Sequence, residues 1–190
     1  MNWLAFAILS YALVGAELAL GEVLALGTSG VRPLLVLPLV IFVALHASPT
    51  VALWSGLLLG CTIDLLARVP LADATAGGGT ALVLGPHALG YAAAVYLTLL
   101  LRGFLIRKNP LSLVFMTLLG GGLSVVVVVA LITIKNVISR TLVWSPGEQF
   151  VSRGGSVLYS AITAFVLAFL LRRLIGVLGL PDATGRRSSR

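Results

Sequence analysis

From Pro33 to Ile63 the chain reads PLLVLPLVIFVALHASPTVALWSGLLLGCTI, thirty-one residues without a charge, bounded by Arg32 and Asp64. Residues 1–16, 74–101 and 109–134 are also free of charge, and 154–171 is a shorter stretch of the same kind. A water-soluble domain does not keep charge off so much consecutive chain, because its surface turns must be solvated. A bilayer core about 30 Å thick takes about 20 apolar residues per helical span. The chain therefore reads as an all-α integral membrane protein that crosses the bilayer several times.

Composition agrees. The chain is 59% hydrophobic and 10% charged, against about 25% charged in ordinary soluble domains. Its 190 residues suffice for one membrane domain, residues 1–180. The Ser/Arg/Gly-rich tail, 181–190, is expected to be disordered and cytoplasmic. The net charge of +7 does not point to nucleic acid, because the basic residues sit at span ends rather than on one face. A single cysteine, Cys61, excludes an intrachain disulfide and reads as a small packing residue. Leu59-Gly60-Cys61 has the letters of a lipoprotein cleavage box but lies far from the N-terminus. Met1-Asn2-Trp3 lacks the positive region of a signal peptide, so residues 3–26 predict a retained first helix.

Six transmembrane helices are expected, at roughly 3–26, 33–47, 49–67, 81–102, 111–135 and 155–178. Gly27, Gly30 and Pro33 break the first from the second, and His46-Ala47-Ser48-Pro49 turns the second into the third. The second is short, about 22 Å of helix. A linker with Gly77-Gly78-Gly79 precedes the fourth, and Arg107-Lys108-Asn109-Pro110 follows it. The stretch 136–154 reads either as an amphipathic segment on the outer surface or as an ordinary loop. With the N-terminus inside, eight basic residues face inward: Arg102, Arg107, Lys108, Arg172, Arg173, Arg186, Arg187 and Arg190. Five face outward: Arg32, Arg68, Lys135, Arg140 and Arg153. The positive-inside rule then favours both termini in the cytoplasm. Trp3 and Trp54 fall near the inner interface and Trp144 near the outer one.

Acids inside a membrane are costly and face protein or water. Glu17, Glu22 and Asp64 qualify. At 1.5 Å per residue, Glu17 and Asp64 both fall in the outer third of the layer. Arg68 follows Asp64 at the favourable i, i+4 spacing, and Lys135 ends the fifth span. Two readings stay open. Glu17, Asp64, Arg68 and Lys135 form an ionic cluster joining spans one, three and five, or Asp64 pairs locally with Arg68 while Glu22 reaches the interface. Gly56-x-x-x-Gly60, Gly120-Gly121-Gly122 and Ala92-Ala93-Ala94 supply small residues for close helix contacts.

No catalytic set emerges. Ser55-Gly56 with His87 has the residue types of an intramembrane serine protease, but the glycine expected two residues before such a serine is Leu53 here. His46 is expected to be solvated at its turn. Two histidines and one cysteine at these spacings make no metal site, and Gly77-Gly78-Gly79 lacks the lysine of a phosphate loop. No cofactor is implied.

The order of features over about 32–101 resembles the MreD family of rod shape-determining proteins. Arg32-Pro33 opens an apolar helix pair. Gly56-Leu57-Leu58-Leu59-Gly60-Cys61-Thr62-Ile63-Asp64-Leu65-Leu66 matches the family's central element, with Cys61 where Leu is usual. Pro70-Leu71 and Leu84-Gly85-Pro86-His87-Ala88-Leu89-Gly90-Tyr91 match the family's later elements. Ala72 to Val83 departs as an insertion, and the tail is richer in arginine than the family's. The resemblance implies a non-catalytic, six-helix protein of the bacterial inner membrane, similar in fold to vitamin-transporter substrate-binding subunits. It also implies binding to MreC, and a link from MreB filaments to RodA and its transpeptidase during cell elongation. Gly56, Gly60 and Asp64 are then the structural element, and lipids meet the inner basic loops. The competing class is a substrate-binding subunit of an energy-coupling vitamin transporter, whose docking patch Ala12-Leu13-Val14-Gly15-Ala16 fits in its letters.

Overall fold

The computed structural model describes residues 1–26, 30–70, 80–106, 109–139 and 144–180. Arg107, Lys108, Arg140, the triple glycine 77–79, most of the 72–83 insertion and the tail 181–190 lie outside the described residues. Six helices are arranged in order: α1 Trp3–Gly21, α2 Val36–His46, α3 Pro49–Leu66, α4 Pro86–Leu101, α5 Pro110–Ser139 and α6 Pro146–Arg173. Between α3 and α4, β1 (Arg68–Pro70) pairs antiparallel with β2 (Thr80–Leu82), with Val69 opposite Ala81. Four helices (α1, α3, α5 and α6) are long and apolar enough to cross a membrane. The other two are shorter, with 11 residues in α2 and 16 in α4.

Each start has a local cause. Proline occupies the first turn of α3, α4 and α6, where its missing N–H costs nothing. Asn2 caps α1 by accepting from the amides of Leu4 and Ala5. The fourth helix starts at Pro86 rather than 81, because Gly85 sits at φ +115°, outside the helical region, and Thr80–Leu82 are committed to the hairpin. The first helix stops at Gly21 rather than 26. The chain then turns back, with the Leu26 amide donating to the Val31 carbonyl. Most of the stretch 136–154 is helix: α5 runs on to Ser139, and Pro146 with Glu148 in the first turn opens α6. Lys135 is therefore inside α5 rather than at its end.

Around α2 the bundle closes. This helix packs against all five others, and every one of its eleven residues is buried. Leu37, Leu39, Ile41 and Leu45 form the middle of the core with Met116 of α5 and Leu171 of α6. His46 is buried too, a correction to its expected solvation: its Nδ1 bonds the Phe42 carbonyl and its ring stacks on Phe42 at 4.4 Å. The outward faces stay apolar. Leu4, Ile8, Tyr11 and Leu18 at helical spacing on α1 are exposed, as are Leu158, Ile162, Val166 and Phe169 on α6. Such a belt suits lipid rather than water.

The Asn2 amide donates to the Leu178 carbonyl at 2.8 Å, so the start of α1 and the end of α6 share one end of the bundle. The opposite end holds Glu17, Asp64, His87 and Arg153. The approach of α3 to α4 rests on two glycines. A Cβ on Gly56 would lie 2.9 Å from Val95 Cγ2, and one on Gly60 would lie 2.6 Å from the His87 carbonyl oxygen. The second obstacle is backbone and cannot rotate away. By contrast Gly122, in the triple glycine of α5, has open space around it, while Gly120 and Gly121 face Ile41 and Val157. Gly60→Ala is expected to destabilise the bundle by about 1–3 kcal/mol, the usual cost of overpacking. Gly122→Ala should stay within about 0.5 kcal/mol. Unfolding titrations in mixed micelles compare the two directly.

Candidate functional site

Asp64 ends in a pocket made by the start of α4. Its side chain is completely buried. Oδ2 accepts from the amides of Gly85 at 2.8 Å and Ala88 at 3.1 Å, and Oδ1 accepts from the His87 amide at 3.0 Å. These are the amides that a helix start leaves without intrahelical partners. A carboxylate there satisfies them with charge-assisted bonds and meets the positive end of the helix dipole. Asp64 therefore caps α4 from a neighbouring helix. Gly60, one turn earlier on α3, is what lets the two backbones come close enough.

His87 extends the arrangement. Its Nδ1 lies 2.7 Å from Asp64 Oδ1 and its Nε2 lies 2.9 Å from an Arg153 guanidinium nitrogen. Arginine can only donate, so Nε2 accepts and the ring carries its proton on Nδ1, which donates to Asp64. The chain of bonds runs Arg153 to His87 to Asp64 and joins α6, α4 and α3. Arg153 also bonds Gln149 Oε1 at 3.3 Å through Nε and lies over the Trp144 ring, 5.9 Å from its centroid. Trp144 in turn donates its indole N–H to Thr133 of α5 at 2.9 Å.

Glu17 does for α2 what Asp64 does for α4. Its Oε2 accepts from the amides of Leu35 at 2.7 Å and Val36 at 2.9 Å. The Leu34 amide donates to Ser160 and the Arg32 amide to Ser156, both on α6. At the far end of α2, Arg102 donates to the Ala47 carbonyl at 2.9 Å. Both ends of this buried helix thus meet side chains of the favourable charge.

The six residues singled out in the sequence divide accordingly. Gly56, Gly60 and Asp64 meet in the α3–α4 joint, and Glu17 stands at the same end of the bundle. Arg68 and Lys135 are exposed. Among the described residues neither forms an ion pair with Asp64 or Glu17; the one acid–base contact within ion-pair distance is His87 with Asp64. The i, i+4 geometry between Asp64 and Arg68 fails because α3 ends at Leu66 and Ala67 turns to an extended conformation. Glu22 is exposed at the end of α1. Ser55 donates its hydroxyl to the Ala52 carbonyl, and His87 is held by Asp64 and Arg153, so the two share no hydrogen bond. Among the described residues no group of three His, Cys, Asp or Glu side chains is placed to hold a metal.

Arg153 and Arg102 carry weight that sequence reasoning does not give them. Arg153 belongs to the stretch 136–154, where a loop is one of the two expectations. The signal for its helix is Ser145-Pro146 followed by Glu148, a helix start.

Comparison with protein-family models, with curated proteins and with solved structures finds no match.

Asp64→Asn removes the charge and presents donors to amides that donate. It is expected to cost about 1.5–3 kcal/mol, the range for hydrogen bonds to a charged group. Arg68→Ala should change stability by less than about 0.5 kcal/mol. Equal losses for the two variants in an unfolding titration would contradict the capping role.

Proposed function

We propose that the chain is a non-catalytic scaffold of the bacterial cell-elongation machinery, of the MreD kind, crossing the inner membrane six times with both termini in the cytoplasm. On this reading it binds MreC and links MreB filaments to RodA and its transpeptidase. The observation that carries the proposal is the α3–α4 joint. The sequence elements that resemble the family, Gly56-x-x-x-Gly60, Asp64 and Gly85-Pro86-His87, lie far apart in the chain and meet in one contact in which each has a physical task.

Other features support the topology. The start of the first helix and the end of the last lie together. The short helices α2 and α4 are about 16 Å and 24 Å long, and side chains cap both ends of α2 and the start of α4 within the bundle. Backbone ends at membrane depth are tolerated when protein satisfies them. With the N-terminus inside, the sequence puts eight basic residues on the cytoplasmic side against five outside, which favours the end that carries Arg102, Arg172 and Arg173 as cytoplasmic.

A second reading has one observation in its favour: a cavity of about 400 Å³ opens between the helices at the Asp64 end, where a vitamin-transporter subunit would hold its substrate.

Co-purification separates the two. The tagged chain, expressed in its own host and extracted in mild detergent, is expected to retain an MreC-like single-span protein. Retention of ATPase and energising subunits in its place would overturn the scaffold reading in favour of the transporter one.

A further inference from the structure

The cavity at the Asp64 end is lined on most sides by aliphatic side chains from α1, α3, α5 and α6, such as Val14, Ile63, Val125 and Val157. Polar groups also line it, among them Gln149, Ser152 and Ser156 of α6. Glu17 and His87 reach it, but Glu17 is engaged by two backbone amides and both ring nitrogens of His87 are bonded. What remains is a set of donors. Arg153 uses Nε and one terminal nitrogen, which leaves the other terminal nitrogen. The Arg32 guanidinium has no hydrogen bond among the described residues, and it lines the same wall. Two hydroxyls complete the set. Tyr91 is 3% exposed and Ser124 is 5% exposed, both line the cavity, and neither side chain has a hydrogen-bond partner among the described residues.

Two cations thus face the cavity with one carboxylate, whose Oε2 is taken by two amides, and the hydroxyls of two nearly buried residues stand beside it without partners among the described residues. Pairs of arginines with neutral donors suit a planar or tetrahedral oxyanion. Much of the remaining lining is aliphatic, and the volume lies within the range of about 300–1,000 Å³ typical of small-molecule sites. We propose that this cavity binds an anionic headgroup, a phosphate or carboxylate, joined to an apolar body, with Arg32 and Arg153 holding the charge and Tyr91 and Ser124 donating to its oxygens. The inference is independent of the role in cell elongation, and an absent MreC partner leaves it untouched.

The test uses the purified full chain in maltoside micelles, with n-octyl phosphate as the probe, n-octyl glucoside as its uncharged counterpart and calorimetric titration as the readout. Saturable one-to-one binding of octyl phosphate is expected, with octyl glucoside at least tenfold weaker. Arg153→Gln is expected to weaken binding tenfold or more. Tyr91→Phe and Ser124→Ala, which keep the packing volume, are expected to weaken it severalfold without loss of fold, while Arg68→Gln at the exposed hairpin leaves it unchanged. Native mass spectrometry of the chain taken from mixed phosphatidylglycerol and phosphatidylcholine vesicles identifies the source. Phosphatidylglycerol retained selectively and displaced by octyl phosphate means a lipid headgroup. Octyl phosphate binding without selective lipid retention means a soluble amphiphilic anion. Equal binding of the two octyl probes, no binding of either, or affinities unchanged in Tyr91→Phe and Ser124→Ala would overturn the proposal.

Discussion

A helix that starts or stops inside an apolar bundle leaves amides and carbonyls that water does not reach. This chain has two such helices, and most of its architecture comes from satisfying their ends. Helix α2 is buried along its whole length, so its first amides and last carbonyls need protein partners. Glu17 and two serines of α6 serve one end, and Arg102 serves the other. Helix α4 begins below the hairpin, and Asp64 serves its first amides. Each cap comes from a different helix, so each also fixes how two helices sit. A buried charge is tolerated here because donors surround it.

The caps and the packing depend on one another. Asp64 reaches the start of α4 only because Gly60 admits the α4 backbone, and Gly56 continues that close approach one turn further along. Glu17 reaches α2 because the chain after Gly21 doubles back and places Leu35 and Val36 beside α1. His87 then ties the α4 cap to Arg153, and Trp144 ties Arg153 to α5. The Asp64 end of the molecule is therefore held by a short series of polar bonds laid across apolar helices. The cavity lies within this series and shares Glu17, His87 and Arg153 with it.

Much of this is visible in the sequence, because lipid and core burial both exclude charge. The charge-free runs locate all six helices, and the break at Ser48-Pro49 is placed correctly within one continuous apolar run. Helix ends are less visible. Leu34 and Leu35 are as apolar as the helix they precede, yet their amides are taken by Ser160 of α6 and by Glu17. Leu82 to Leu84 look like span, yet they sit between strand pairing and a glycine at positive φ. The acids illustrate the same limit. Their cost in a membrane marks Glu17 and Asp64 as important, but spacing along one helix suggests Arg68 as the partner. The partners are backbone amides distant in sequence, and amides carry no residue-specific signal. Ser124 is legible only as an ordinary helix residue and Tyr91 only as the end of the Leu84–Tyr91 element, because what sets them apart is the cavity beside them.

Hydrogen–deuterium exchange of the segment 33–40 in Glu17→Ala, with segment 85–92 as internal reference, tests the capping account most directly. The amides of Leu35 and Val36 should lose protection in the variant while those of Gly85 to Ala88 keep theirs. Unchanged protection at Leu35 and Val36 would mean that the start of α2 does not depend on the Glu17 carboxylate, and the central claim would fail.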